Sequence, residues 1–128
     1  MTQHCSNLNT SMKYTIRKLD GRYSYRDYFK YCLIFHPSMS PNHKGVLWFN
    51  DTKVWFENTY GYSAEIKQWH AMLKYHHTFD NFVEGEELAS HVNFHWSWTN
   101  CYDDLRVYIK SEKELGFFKL SNPVDSNA

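Results

Sequence analysis

The sequence predicts an α+β domain: a mainly antiparallel sheet of four to five strands with two or three helices packed on one face. Residues 91–99 and 105–110 alternate apolar and polar side chains, the period of a half-buried strand. Residues 64–77 repeat apolar side chains at three- and four-residue spacing, the period of an amphipathic helix. Nine Phe, ten Tyr and five Trp each bring roughly 150–250 Å² of buriable surface, so a core can form with few aliphatic residues.

The 128 residues fit one domain, at roughly 100–200 residues per domain. We expect this domain to span 12–120, between a flexible polar lead-in at 1–11 and a flexible tail at 121–128. Disorder, collagen and coiled coil are excluded by the aromatic content. A membrane protein is not predicted because no apolar run approaches the ~20 residues of a span. Scattered cysteines and no visible signal peptide predict a cytoplasmic protein without a disulfide framework.

The first two strands are predicted to form a hairpin. Residues 12–19 are rich in β-formers and end at Asp20-Gly21, a strong turn signal. Residues 28–36 follow, with apolar side chains of a single parity. In this reading, residues 37–43, which include two prolines, form a loop.

Residues 45–60 allow two readings. Residues 45–49 are short and apolar, which indicates a strand or a strand-like entry. Asn50-Asp51 fits a hairpin turn before a strand at 53–57, but Asp51 also fits the N-cap of a helix over 52–60 that ends at Gly61. We favour the helix because a suitable N-cap residue, Asp51, precedes it and a suitable terminating residue, Gly61, follows it.

The remaining elements follow clearer signals. Ser63 caps the helix over 64–77, and an acidic loop at 79–90 precedes the strand at 91–99. A turn at 100–104 joins this strand to the next, at 105–110. Ser111 and Glu114 are spaced as a capping box, which predicts a final helix over 112–120 in the same layer as the helix over 64–77.

The outward positions of the predicted strands carry basic residues and no Asp or Glu. Antiparallel sheets can leave one face in water, and clusters of a single charge sign attract anions. We therefore predict a binding face for an anionic partner. The alternative interpretation is an ordinary solvated sheet face without a binding role. In addition, a slip of one residue in register would move every one of these side chains to the other face of the sheet. The predicted binding residues are Lys13, Arg17, Lys30, His91, His95, Arg106, Tyr108 and Lys110.

Catalytic and metal chemistry have little support in the sequence. His91 and His95, and likewise His70 and His77, are spaced as metal ligands could be, but no further ligand is demonstrably near. Glycine-rich phosphate loops, HExxH and GxSxG motifs are missing. We expect no catalytic residue, no metal and no cofactor. The sequence evidence therefore favours a non-enzymatic protein over an enzyme.

Three stretches carry a family resemblance: residues 12–19 (MKYTIRKL), 55–61 (WFENTYG) and 105–118 (LRVYIKSEKELGFF). They resemble small uncharacterised proteins encoded by marine tailed phages, especially contractile-tailed cyanophages. The resemblance implies an accessory protein made in the host cytoplasm during infection, and it favours the helix at 52–60. It transfers no activity and no site residue. Residues 1–11 depart from the pattern, which implies an upstream start.

Three functional hypotheses follow. The first is a non-enzymatic interaction protein that binds a macromolecular partner. Six aromatic residues lie between positions 48 and 62. Burial in the core is the default interpretation, but if a surplus is exposed, a protein partner or a homodimer is the expected consequence. The second is a nucleic-acid-associated protein that uses the basic sheet face. The third is a small metal-dependent enzyme.

Overall fold

The computed structural model describes residues 12–36, 44–75, 92–101 and 104–122. In chain order the elements are β1 (Thr15–Lys18), β2 (Tyr31–Phe35), α1 (Lys44–Tyr60), α2 (Ile66–Tyr75), β3 (Trp96–Cys101), β4 (Asp104–Ile109) and α3 (Glu112–Ser121). The predicted α+β class and its antiparallel sheet are confirmed. The predicted lead-in, the loop at 37–43 and the acidic loop at 79–90 lie outside the described residues.

The four strands form one sheet in the order β1-β2-β4-β3, and each neighbouring pair is antiparallel. Across the sheet, Tyr31 of β2 stands opposite Ile109 of β4, and Ile109 stands opposite Trp96 of β3. The predicted parity is therefore confirmed within the strands. One face carries the predicted apolar set, in which Leu33, Phe35, Trp96, Leu105, Val107 and Ile109 are buried.

The predicted parity is wrong outside the strands, because Phe29 and Val92, expected on the apolar face, lie in the cluster of the opposite face. Phe94 likewise contacts Trp69 there, while His95 turns toward Tyr60 and Glu114.

Both faces of the sheet are covered, and this corrects the predicted layering. Helices α1 and α3 do pack together on the predicted apolar face, where Phe56 and Phe118 are fully buried. Helix α2, which we expected beside α3, packs on the opposite face through Trp69. That second face is itself apolar at its centre, because Cys32 and Tyr108 point into it. Alternation along a strand shows which side chains share a face, but it does not show that the other face stays wet.

A linker, residues 61–65, carries the chain from one face to the other along the edge of β3. The indole N–H of Trp96 donates to the Gly61 carbonyl at 2.8 Å, and the Ser97 hydroxyl donates to the Ala64 carbonyl at 2.8 Å. Successive strand residues point to opposite faces, so these bonds hold the linker from both sides. The linker also covers an edge strand that would otherwise expose unpaired backbone groups.

Helix α1 settles the two readings of residues 45–60. The helix at 52–60 is present, but it begins at Lys44, so the predicted strand at 45–49 is wrong. Trp48, Thr52 and Phe56 are buried at four-residue spacing, and this continuous helical stripe overrides the short apolar run. Gly61 ends the helix with a φ of 98°, a conformation that favours glycine.

The other boundaries shift by a few residues. Helix α3 has the predicted cap, since the Lys113 N–H donates to the Ser111 hydroxyl at 3.3 Å. Strand β3 begins at Trp96 rather than at residue 91. Within the described ranges, no helix combines the length and the apolar character that crossing a bilayer requires.

Candidate functional site

One end of the sheet brings together lysines that lie far apart in the sequence. At this end β1 and β4 finish while β2 and β3 begin. The Lys30 N–H donates to the Ile109 carbonyl at 3.0 Å, and the Lys110 N–H donates to the His95 carbonyl at 3.0 Å. Lys18 is the last residue of β1, and Lys113 lies in the first turn of α3. We call this surface, defined by Lys18, Lys30, Lys110 and Lys113, the lysine end; all four residues are exposed.

A cleft of ≈ 370 Å³ opens at the lysine end. It is lined by Lys18, Lys30, Tyr31, Ser111, Glu112 and Lys113. The Tyr31 hydroxyl donates to Glu112 at 3.2 Å. Desolvation and the neighbouring Glu112 carboxylate raise the pKa of Tyr31, so this hydroxyl is held as a neutral donor. Three of the six lining residues are therefore cationic and one is anionic.

The lysines of this end have no carboxylate partner among the described residues. In the described part of the chain, ion pairs within 4.0 Å involve Arg22, Arg26, Arg106 and His95 instead. Unpaired charges of one sign create a local positive potential even where the whole molecule is neutral. The lysine end is therefore suited to binding an anion.

His95 is held in place beside these lysines. Its Nδ1 lies 2.9 Å from Glu114 Oε2, so the carboxylate accepts the ring N–H. The Glu114 side chain is only 5% exposed, whereas that of His95 is 47% exposed. The His95 ring stacks on Tyr60 with centroids 4.7 Å apart, and the Ser111 hydroxyl donates to the other oxygen of Glu114. One buried carboxylate thus ties β3 to the start of α3.

The ionisation of Glu114 couples this network to pH. Burial on its own would raise the pKa of Glu114, but hydrogen bonds from Ser111 and His95 outweigh it and hold that pKa below its usual value. A carboxyl whose pKa is lower in the folded state stabilises the fold when it is ionised. Its contribution is complete above the unfolded-state pKa, about 4.3, and is lost as the pH falls through the folded-state pKa.

We expect Glu114→Gln to lower the free energy of unfolding at neutral pH by about 1–2 kcal/mol, the scale of charged hydrogen bonds. The difference from the unmodified protein should shrink as the pH falls below about 4.3. Urea unfolding at a series of pH values measures both the loss of unfolding free energy at neutral pH and its change with pH. Asp51→Asn, which removes an exposed carboxylate on α1, is the matched control. A Glu114→Gln effect of equal size at every pH would contradict the assigned ionisation.

The predicted binding residues separate into two groups. Lys30, His95 and Lys110 meet at the lysine end. The side chains of Arg17, Arg106 and Tyr108 instead lie on the face that α2 covers, and Lys13 precedes β1 at the other end of the sheet. His91 lies outside the described residues.

The prediction of a continuous cationic sheet face exposed to water is therefore wrong. Tyr108 is 8% exposed, and Arg106 Nε lies 2.6 Å from Asp104 Oδ1. The guanidinium of Arg17 lies 5.8 Å from the ring centroid of Tyr23. The connection between β1 and β2 folds over this face, where Tyr25 and Phe29 contact the ring of Tyr108.

The structure adds residues that the strand pattern missed. Lys18 has the parity of the apolar face, and Lys113 belongs to a helix, so neither was a candidate. Glu114 was recognised only as a capping residue. The one sequence signal for the lysine end is that a lysine stands at the end of β1, before β2 and after β4.

Other reactive groups of the described chain offer little chemistry. Burial raises the pKa of the Cys32 thiol to about 12, which makes it a poor nucleophile at neutral pH. In the described ranges, no three His, Cys, Asp or Glu side chains converge as a metal site would require.

Comparisons with protein-family models, with curated proteins and with solved structures give no match to this chain.

Proposed function

We propose that the protein is a small non-enzymatic binding protein that contacts an anionic macromolecular partner through the lysine end. The observation that carries this proposal is the convergence of four exposed lysines, none with a carboxylate within 4.0 Å among the described residues. The likeness of the sequence to tailed-phage proteins supports an accessory role in the host cytoplasm.

The same surface supports binding better than catalysis. A serine nucleophile needs a base that accepts its proton. The Ser111 hydroxyl donates to Glu114, which His95 also contacts, so the carboxylate separates the serine from the imidazole. The network instead holds the ring of His95 in place beside the exposed lysines.

Lysine is a flexible, strongly hydrated point charge, and it suits a partner whose charges are spread along a chain. Exposed charges are screened over about 10 Å at 0.1 M salt. Binding at the lysine end should therefore be strong at low salt and should fall steeply as salt is added. For a polyanion such as a nucleic acid, the slope of log K against log salt is roughly 0.9 per phosphate neutralised.

The test uses fluorescent heparin, a polyanion without bases, and two triple variants with the same change in net charge. We expect Lys18→Gln/Lys30→Gln/Lys113→Gln to lower the affinity at least about tenfold at low salt and to reduce the salt slope by up to about three. The control triple is Lys13→Gln/Lys67→Gln/Lys119→Gln, whose lysines are exposed elsewhere. Equal weakening by the two triples would mean that net charge alone, and not the lysine end, drives the binding.

A further inference from the structure

We propose that the anionic partner is single-stranded nucleic acid, whose phosphates contact the lysine end while its bases stack on the exposed rings of Tyr28 and Phe94. This inference rests on the proposed function and names the partner of the same site. Tyr28 lies two residues before Lys30, and Phe94 immediately precedes His95. The backbones of Lys30 and His95 are both hydrogen-bonded to that of Lys110. The two rings therefore lie near Lys110 at this end of the sheet, on the face that α2 covers.

A buried indole supports both rings. The centroid of the Trp69 ring lies 5.1 Å from that of Tyr28 and 5.9 Å from that of Phe94, with interplanar angles of 69° and 75°. Trp69 has no exposed surface, yet Phe94 is 50% exposed and Tyr28 is 37% exposed. Both rings thus meet Trp69 edge to face and keep a large part of their surface in water.

Hydrogen bonds made by the neighbouring residues hold the backbone of Phe94 in a conformation that exposes its ring. On one side, Asn93 accepts the N–H of His95 on its side-chain oxygen at 2.8 Å and donates to the Tyr60 carbonyl at 2.7 Å. The carbonyl of Asn93 accepts the indole N–H of Trp69 at 2.8 Å. With both neighbours held, the phenyl ring is presented to solvent at a fixed place. Such a ring needs little further ordering when a ligand stacks on it.

Single-stranded nucleic acid fits this combination better than an acidic protein. Carboxylates of an acidic segment would satisfy the lysines and leave the two rings uncovered. A nucleic-acid strand alternates phosphates with flat bases, and aromatic stacking contributes roughly 1–3 kcal/mol per base. A duplex keeps the faces of its bases inside the stack, so it cannot offer them to Tyr28 and Phe94. Single strands, in contrast, present unstacked bases to aromatic side chains.

The experiment compares three labelled probes at low salt: oligothymidylate of about 16 nucleotides, a size that suits a small binding domain, an abasic strand with equally many phosphates, and polyglutamate. We expect oligothymidylate to bind at least about tenfold tighter than the abasic strand, the effect of one stacked base. Phe94→Leu and Tyr28→Leu should each remove part of that difference without changing the binding of the abasic strand. Phe94→Trp should restore it.

Phe117→Leu is the matched control, because Phe117 is 49% exposed and lies on α3 rather than beside Trp69. Oligothymidylate and the abasic strand could bind equally well, and the variant Lys18→Gln/Lys30→Gln/Lys113→Gln could weaken the binding of both. That result would overturn the nucleic-acid inference and leave the proposed function standing. Tighter binding of polyglutamate would overturn it in favour of an acidic protein. Binding of no polyanion at low salt would remove the proposed function as well.

Discussion

Trp69→Ala should lower the free energy of unfolding by about 3–5 kcal/mol, the range for large-to-small changes at buried aromatic positions. Trp69 has no exposed surface and is the largest side chain with which α2 covers the second face of the sheet. Its ring lies 4.9 Å from that of Phe29, and its indole N–H donates to the Asn93 carbonyl. Alanine would leave a cavity and an unpaired carbonyl.

Urea unfolding of the purified variant measures this effect. The free energy of unfolding of Trp69→Phe should lie between those of the unmodified protein and of Trp69→Ala, because phenylalanine keeps a ring but loses the hydrogen bond. Gln68→Ala is the control on the same helix, at an exposed position where changes stay within about 0.5 kcal/mol. If Trp69→Ala cost no more than this control, α2 would not cover the sheet and the second face would be wet after all.

Phe118→Ala should destabilise the opposite layer by a similar amount, about 3–5 kcal/mol. Phe118 projects from α3 and is fully buried. Its ring centroid lies 5.4 Å from that of Phe56 and 5.2 Å from that of Trp55, both on α1, and 6.0 Å from that of Tyr14. Removing the ring would separate α1 from α3 and from the chain that enters β1.

Leu120→Ala, at an 82% exposed position of the same helix, is the control, and its effect should stay within about 0.5 kcal/mol. Phe118 and Trp69 belong to separate core clusters on the two faces of the sheet. Changes without shared partners usually add to within about 0.5 kcal/mol. The double variant, measured by the same unfolding experiment, should therefore show the sum of the two losses; a large departure would indicate one shared core.

Much of the secondary structure was predictable because its signals are local. Alternation predicted the face on which Trp96, Val107 and Ile109 lie, and the spacing of Ser111 and Glu114 predicted the start of α3. The strand proposed at 45–49 failed because five apolar-rich residues fit either period. Only the longer stripe through Trp48, Thr52 and Phe56 identifies them as helix.

The candidate site was predictable only in part. Lys30, His95 and Lys110 were chosen as outward strand positions, and they do lie together, but at the end of the sheet rather than across its face. Arg106 and Tyr108 were chosen on the same ground, but Arg106 pairs with Asp104 and Tyr108 is buried beneath the connection between β1 and β2. Alternation describes a side chain's direction and says nothing about which other segment of the chain covers it.

Residue order alone was enough to locate β1, β2 and β4, to show which side chains share a face within the strands and to locate the start of α3, because each depends on neighbours a few positions away. The covering of both faces depends on where the linker at 61–65 passes the edge of β3, and that path is held by contacts from Trp96 and Ser97, some 35 and 33 residues distant. The lysine end arises in the same way. Its members become neighbours only when antiparallel pairing places the end of β1 and of β4 beside the start of β2 and of β3.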